Sequence, residues 1–282
     1  MMAFLFCRMP RYNEPSIRER EQCKMKKSVM GLMLCGAALQ AWAAPAATAP
    51  DTLARVMKSK ELRVCSPGDY KPFSFDRSGT FEGIDNDLAE RLAQSMGATV
   101  KIIKSSWPTL MADFQSKCDL GVGGISITLP RQQQALMSEP YFTNGKTPLV
   151  RCEDVSKYQT IEQINQPHVR IVANPGGSNE NFARTALTKA KLTMHPENLT
   201  IFDEVAEKRA DVFVTEAAEA LVKSHEHKGV LCGVNPDKPL RPAQNAWLIQ
   251  NGDFRFKAYV DQFLRLEKLS GNLDATIKRW LP

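Results

Sequence analysis

Two glutamates, Glu216 and Glu219, lie three residues apart in DVFVTEAAEAL, where an apolar run stops at Thr215 and a helix is expected to open. Three residues is close to one helical turn, so both carboxylates can face one cavity and work as a proton donor and its neighbour. The same spacing also fits a solvated charged face with Thr215 as helix N-cap. Which of the two applies depends on what the rest of the chain builds around them.

Other residues of chemical interest sit in loops that follow strand-like runs. DYKPFSF (69–75) carries Asp69, Tyr70, Phe73 and Phe75; the aromatics suit either stacking on a ligand ring or core packing, the latter most of all for Phe73 and Phe75. SSWP places Trp107 similarly. GGISITLPR (123–131) combines a glycine pair, which lets a ligand approach the backbone, with the hydroxyls of Ser126 and Thr128 and the carboxylate-matching fork of Arg131. NPGGSNE (174–180) puts Gly177, Ser178 and Asn179 at a helix N-terminus, an anion nest rather than a Walker loop or dinucleotide fingerprint. The implied ligand is small and anionic. His168, His195, His225 and His227 lie in polar or loop contexts and are not expected to be catalytic.

The elements that must position these residues alternate. LRVC (62–65), TVKIIKS (99–105) and DLGVGGI (119–125) read as strands, separated by helices over 86–96 and 109–117. The alternation resumes with a strand at 170–177, helix 178–190, strand KLTMH, helix IFDEVAEKR and strand DVFVT. NAWLI makes a further strand, and FRFKAYVDQFLRLEKLS a long helix ending at Gly271. Repeated βαβ units predict an α/β fold of two lobes with mostly parallel sheets and a ligand cleft at the strands' carboxyl ends. The lobes are expected over 52–146 plus 240–282 and over 147–239.

The N-terminus reads as a cleavable export signal: MKK from Met25, an apolar stretch, then Ala41-Trp42-Ala43. Residues 1–43 are expected to be removed, with the true start near Met25. The segment holds +4 of the total charge of +6, leaving a chain near neutrality and no reason to invoke nucleic acid. Neither a stable membrane anchor nor a metal site is expected. Four cysteines remain, Cys65, Cys118, Cys152 and Cys232; three pairings are open, with Cys152–Cys232 favoured because both lie near the ends of one lobe.

ELRVCSPGDYKPFSF, GIDNDLAERLA, GGISITLPRQQQALMSEPYF and NPGGSNENFA resemble the extracellular solute-binding proteins of the polar amino-acid type, which have a type II periplasmic-binding-protein fold. GDYKPFS, SWPTLM, NGKTPL, QTIEQINQP, NPGGSNENFAR, HPENLTIF and the T-[DE]-A-x-E-A of 215–220 resemble more closely the periplasmic cyclohexadienyl dehydratases within that family. The resemblance implies cofactor-free, decarboxylating dehydration of prephenate to phenylpyruvate or of arogenate to phenylalanine in the periplasm. It makes Glu219 the general acid, with Lys146 and Asn174 as polar orienters. Asp69, Tyr70, Trp107, Gly124, Ser126, Thr128, Arg131, Gly177, Ser178 and Glu216 form the expected substrate-binding set. Two positions depart from the pattern: Glu216 replaces a usual Asp, and Thr128 stands where the dehydratases often have Asn. The alternative is a non-catalytic amino-acid receptor delivering its ligand to the permease of an ABC transporter.

Overall fold

The computed structural model describes residues 51–282; the expected leader, residues 1–43, lies outside the described residues. Two large sheets organise the described residues, beside a small third one formed by Asp69–Tyr70, Ser74–Arg77 and Thr80–Glu82. The first has the strand order Thr99–Lys104, Glu61–Ser66, Leu120–Gly121, Leu248–Ile249 and Leu136–Met137. Its first three strands are parallel and the last two join antiparallel. The second sheet runs Lys191–Met194, Arg170–Ala173, Val212–Glu216, Phe142–Arg151 and Leu231–Gly233, with Arg241–Asn245 pairing the 142–151 strand. Here too a parallel core of three strands is extended by antiparallel neighbours.

The parallel strands are βαβ products, and the inner ones are buried because helices cover both faces, while the edge strands Thr99–Lys104 and Lys191–Met194 are not. Val212–Glu216 is buried at every residue, the continuous pattern of a central strand. Leu62 and Val64 of the first sheet pack with Leu88 and Leu92 of the helix Ile84–Ser95. Phe213 of the second packs with Phe202 of the helix Ile201–Ala206, ring centroids 5.6 Å apart.

Several expected elements are shorter. The strand expected over 119–125 is regular only at Leu120–Gly121, because Gly123 and Gly124 take positive φ and turn their amides toward one carboxylate. The helix expected over 178–190 ends at Ala186, and that expected over 201–209 ends at Ala206. Helices Thr52–Ser59 and Asn272–Trp280 are additions; the first is N-capped by Asp51, whose side chain accepts from the Ala54 amide at 3.0 Å.

Two disulfides, Cys65–Cys118 and Cys152–Cys232, tie the layers. The second is the favoured pairing. The first links the opening strand to the residue after helix Leu110–Lys117.

The chain crosses between the sheets twice, side by side. Phe142–Arg151 and Arg241–Asn245 are antiparallel, pairing Asn144 with Ala243 and Phe142 with Asn245. This two-stranded crossing carries Asn144, Lys146 and Asn245 past the ends of both sheets.

Candidate functional site

The Val212–Glu216 strand delivers Glu216 at its last residue, and the helix Ala217–Glu226 starts immediately after. Thr215 is therefore not the helix N-cap. Glu216 occupies that position without a side-chain capping bond, while the Thr215 hydroxyl donates to a Glu219 carboxylate oxygen. The two glutamates do not share a solvated helix face: one ends a strand, the other sits in the first helical turn, and they are 2% and 1% exposed.

Glu216 is anchored by donors from several elements. Its Oε1 accepts from Ser126 Oγ at 2.5 Å and Lys146 Nζ at 3.0 Å, and its Oε2 from Tyr70 OH and Asn144 Nδ2, both at 2.9 Å. Burial alone would raise its pKa. The charge of Lys146 and the bonds from Ser126, Lys146 and Tyr70 prevail and hold it below the ordinary carboxylate value. Lys146 also donates to Ser178 Oγ at 2.8 Å and Asn179 Oδ1 at 2.5 Å; burial lowers its own pKa, against the pull of Glu216.

Glu219 has the opposite fate. Desolvation pushes its carboxyl up to about 8; the Thr215 bond and Lys223 oppose this, and Asp69 and Glu216 add to it. Asp69 is pushed by burial up to about 6 while accepting from Trp107 Nε1 at 2.9 Å. Trp107 in turn stands edge-on to Tyr70, centroids 5.8 Å apart at 77°.

These groups surround a cavity between the sheets, lined by Tyr70, Trp107, Gly124 and Ser126 from one side and by Asn174, Gly177, Ser178, Asn179, Asn198, Glu216 and Glu219 from the other. It leaves about 20 Å³ open to a water-sized sphere. The larger space near the C-terminal segment, about 360 Å³ around Lys71, Arg77, Lys278 and Pro282, contains none of these residues. Contacts closing the two sides include Asn198 Nδ2 to the Asp69 carbonyl at 2.9 Å and Lys71 Nζ to Glu226 Oε1 at 2.7 Å.

Other expected site residues have structural employment. Thr128 caps the short helix Leu129–Gln132, accepting from the Arg131 amide at 3.4 Å. Arg131 Nη1 donates to the Ser126 carbonyl at 2.7 Å, outside the lining of the cavity. Asn174 Oδ1 accepts from Asn179 Nδ2 at 3.2 Å. Gly124, at φ +70°, has no Cβ because one would lie 2.5 Å from both Tyr70 Cε1 and Phe73 Cδ2. Its smallness is thus accounted for by those rings. Phe73 is core, fully buried, as its alternative reading allowed; Gly177 precedes the helix Ser178–Ala186 and presents that N-terminus to the cavity.

Residues not anticipated are chiefly amides. Asn144 and Asn245 bond each other at 3.0 Å, and Asn245 Nδ2 reaches the Gly124 carbonyl at 2.7 Å, so the crossing strands brace both Glu216 and the glycine loop. Asp85, fully buried, accepts from the Gly123 and Gly124 amides at 2.6 and 2.7 Å. Asn198 is 6% exposed, and its Oδ1 is buried without a partner. GIDNDLA, NGKTPL and HPENLTIF contain three of these residues, but only distant partners reveal their work.

Residues 62–282 match the bacterial extracellular solute-binding proteins, family 3. A cyclohexadienyl dehydratase from Pseudomonas aeruginosa is 43% identical over 260 residues, covering 91% of this chain and 96% of that protein. Among solved structures, an ancestral cyclohexadienyl dehydratase, AncCDT-3, is 44% identical with a TM-score of 0.52, over 82% of this chain and 97% of that one. AncCDT-1, an ancestral amino acid-binding protein described as a precursor of cyclohexadienyl dehydratase, is 32% identical with a TM-score of 0.76, over 82% and 100%.

Proposed function

This chain belongs to the bacterial extracellular solute-binding proteins, family 3, and we propose that within it the protein is a cyclohexadienyl dehydratase, a cofactor-independent lyase acting in the periplasm. The fold is type II periplasmic-binding-protein-like, two α/β lobes with a ligand cleft between them. The observation that carries the reading is Glu219: a carboxyl on the cavity wall, 1% exposed, with its pKa pushed up to about 8. Such a group arrives at neutral pH still holding its proton, as a general acid must.

With prephenate in the cleft, Glu219 gives that proton to the ring hydroxyl, and the C–O bond breaks to release water. The bond from the same ring to its carboxylate breaks to release CO2. Its electron pair enters the ring, which becomes aromatic. Arogenate reacts identically and yields phenylalanine instead of phenylpyruvate. Glu219 is left ionised and recovers its proton from solvent.

Lys146, Ser178 and the helix terminus at Gly177 supply positive potential for a substrate carboxylate, with Arg131 behind them. Tyr70 and Trp107 form the aromatic wall, and Asn174 holds Asn179 against Lys146. Excluding water from the departing carboxylate favours its loss as uncharged CO2, and the same exclusion keeps Glu219 protonated. Export rests on the leader at 1–43, and the lobes on 52–146 plus 240–282 and 147–239.

The amino-acid receptor alternative has less support. A receptor needs a carboxylate available for the ligand's ammonium, and Glu216 is already occupied by four donors. The test is phenylpyruvate formation from prephenate at neutral pH by the chain from Ala44, against an enzyme-free control, since prephenate aromatises unaided in acid. Turnover that survives a chelator supports the reading. No turnover, with a thermal shift on adding an amino acid, supports the receptor.

A further inference from the structure

We propose that this site prefers prephenate to arogenate, because the carboxylates lining its cavity are committed to other work while a cation stands where a substrate ammonium would need an anion. The inference rests on the dehydratase reading and sharpens it. The two substrates differ at one group: prephenate carries a keto oxygen, a neutral acceptor, and arogenate an ammonium, a cation with three N–H donors. Holding the ammonium away from water requires a carboxylate with acceptor capacity to spare.

Two carboxylates line the cavity, Glu216 and Glu219. A carboxylate accepts about four hydrogen bonds, and Glu216 already has four close donors, in Ser126, Lys146, Tyr70 and Asn144, at 2.5 to 3.0 Å. One of them is itself an ammonium. Lys146 Nζ, 3.0 Å from Glu216 Oε1, fills the place of a ligand's amino group.

Glu219 is kept neutral by burial and accepts from Thr215, so it offers no negative charge at neutral pH. Asp69 is engaged by the Trp107 indole and does not line the cavity. An arriving ammonium therefore meets Ser178 and Asn179 with the charge of Lys146 directly behind them, and finds no free anion. A keto oxygen in the same place accepts from the Ser178 hydroxyl, whose oxygen is held by Lys146.

The longer side chain at 216 is part of the device. From the end of its strand it spans to Tyr70 and Ser126 on the opposite lobe as well as to Lys146 on the neighbouring strand. Shortening it to Asp withdraws the carboxylate by one methylene. Some of its donors are then too far to reach, and acceptor capacity returns to the cavity.

The experiment compares kcat/KM for prephenate and for arogenate on the wild-type chain, followed by phenylpyruvate and phenylalanine formation. The expected ratio exceeds about five in favour of prephenate, and Glu216→Asp narrows it at least about twofold. A wild-type ratio at or below about five overturns the inference while leaving the dehydratase reading standing. Turnover of neither substrate brings down the dehydratase reading itself, and the preference with it. If Glu216→Asp does not fold, the wild-type ratio alone decides.

Discussion

Lys146 and Glu216 stand directly opposite each other on neighbouring antiparallel strands, and their side chains meet at 3.0 Å with 6% and 3% of their surface exposed. Cross-strand register, rather than a loop, sets this charge pair. Removing one partner leaves the other charge buried and alone, which costs about 3–5 kcal/mol. Glu216→Ala is expected to lower stability by that order in chemical denaturation. Glu216→Gln, which keeps the size and part of the bonding, is expected to lose less.

Replacing Glu219 by Gln removes the transferable proton while preserving shape. The rate of prephenate turnover is expected to fall about 10²- to 10⁴-fold, the range associated with a positioned acid. Circular dichroism should be unchanged, since the side chain is neutral in either form at pH 7. A variant that retains the wild-type rate would remove Glu219 from the mechanism.

In the proposed mechanism the protonated form of Glu219 is the active one, so kcat is expected to fall as pH rises through about 8. Stability should follow the same group. Its folded pKa, about 8, lies above the ordinary 4.5, so its contribution is whole below 4.5 and is lost progressively as pH rises through 8. Melting temperature measured from pH 5 to 9 should decline less steeply in Glu219→Gln than in the wild type.

Gly176 lies in the second lobe at φ +80°, and a Cβ there would stand 2.5 Å from the backbone N and Cα of Pro108 in the first. Gly176→Ala therefore obstructs closure and strains its own backbone. A severalfold fall in kcat is expected, with a stability loss near 1 kcal/mol. Stopped-flow tryptophan fluorescence can follow closure through Trp107, the neighbour of Pro108.

The disulfides close loops of 53 and 80 residues. By chain entropy each constrains the unfolded state by about 4 kcal/mol. Cys65→Ser/Cys118→Ser and Cys152→Ser/Cys232→Ser are each expected to lose about 2–4 kcal/mol. Reduction of the folded wild type should lower its melting temperature accordingly.

The fold was legible because its cues are local. LRV, RIVA and DVFV are buried strands flanked by amphipathic helices, and the glycine pairs at 123–124 and 176–177 mark the turns beneath the cleft. Residue type and spacing alone pointed to Trp107 and Ser178 beside a ligand cleft, left Glu219 open between a cavity and a solvated face, and said nothing of Lys146, which only the family resemblance singled out. What stayed hidden depends on partners distant in sequence. The Tyr70 hydroxyl meets Glu216 across 146 positions, and Asn144 meets Asn245 across 101. Nor does the spacing of Glu216 and Glu219 say that a strand ends between them. That boundary gives them different surroundings: Lys146, Ser126 and Tyr70 lower the pKa of Glu216, and desolvation raises that of Glu219.

The small space between the lobes has a kinetic meaning. About 20 Å³ accommodates roughly one water, not a ten-carbon diacid, so the lobes must part before substrate enters. Apparent affinity is then the intrinsic affinity scaled by the fraction of molecules that stand open. Each contact that joins the two sides, such as Asn198 on the Asp69 carbonyl or Lys71 on Glu226, subtracts from that fraction. A tighter clamp thus raises the concentration at which the site half-fills, with no change to the groups that line it.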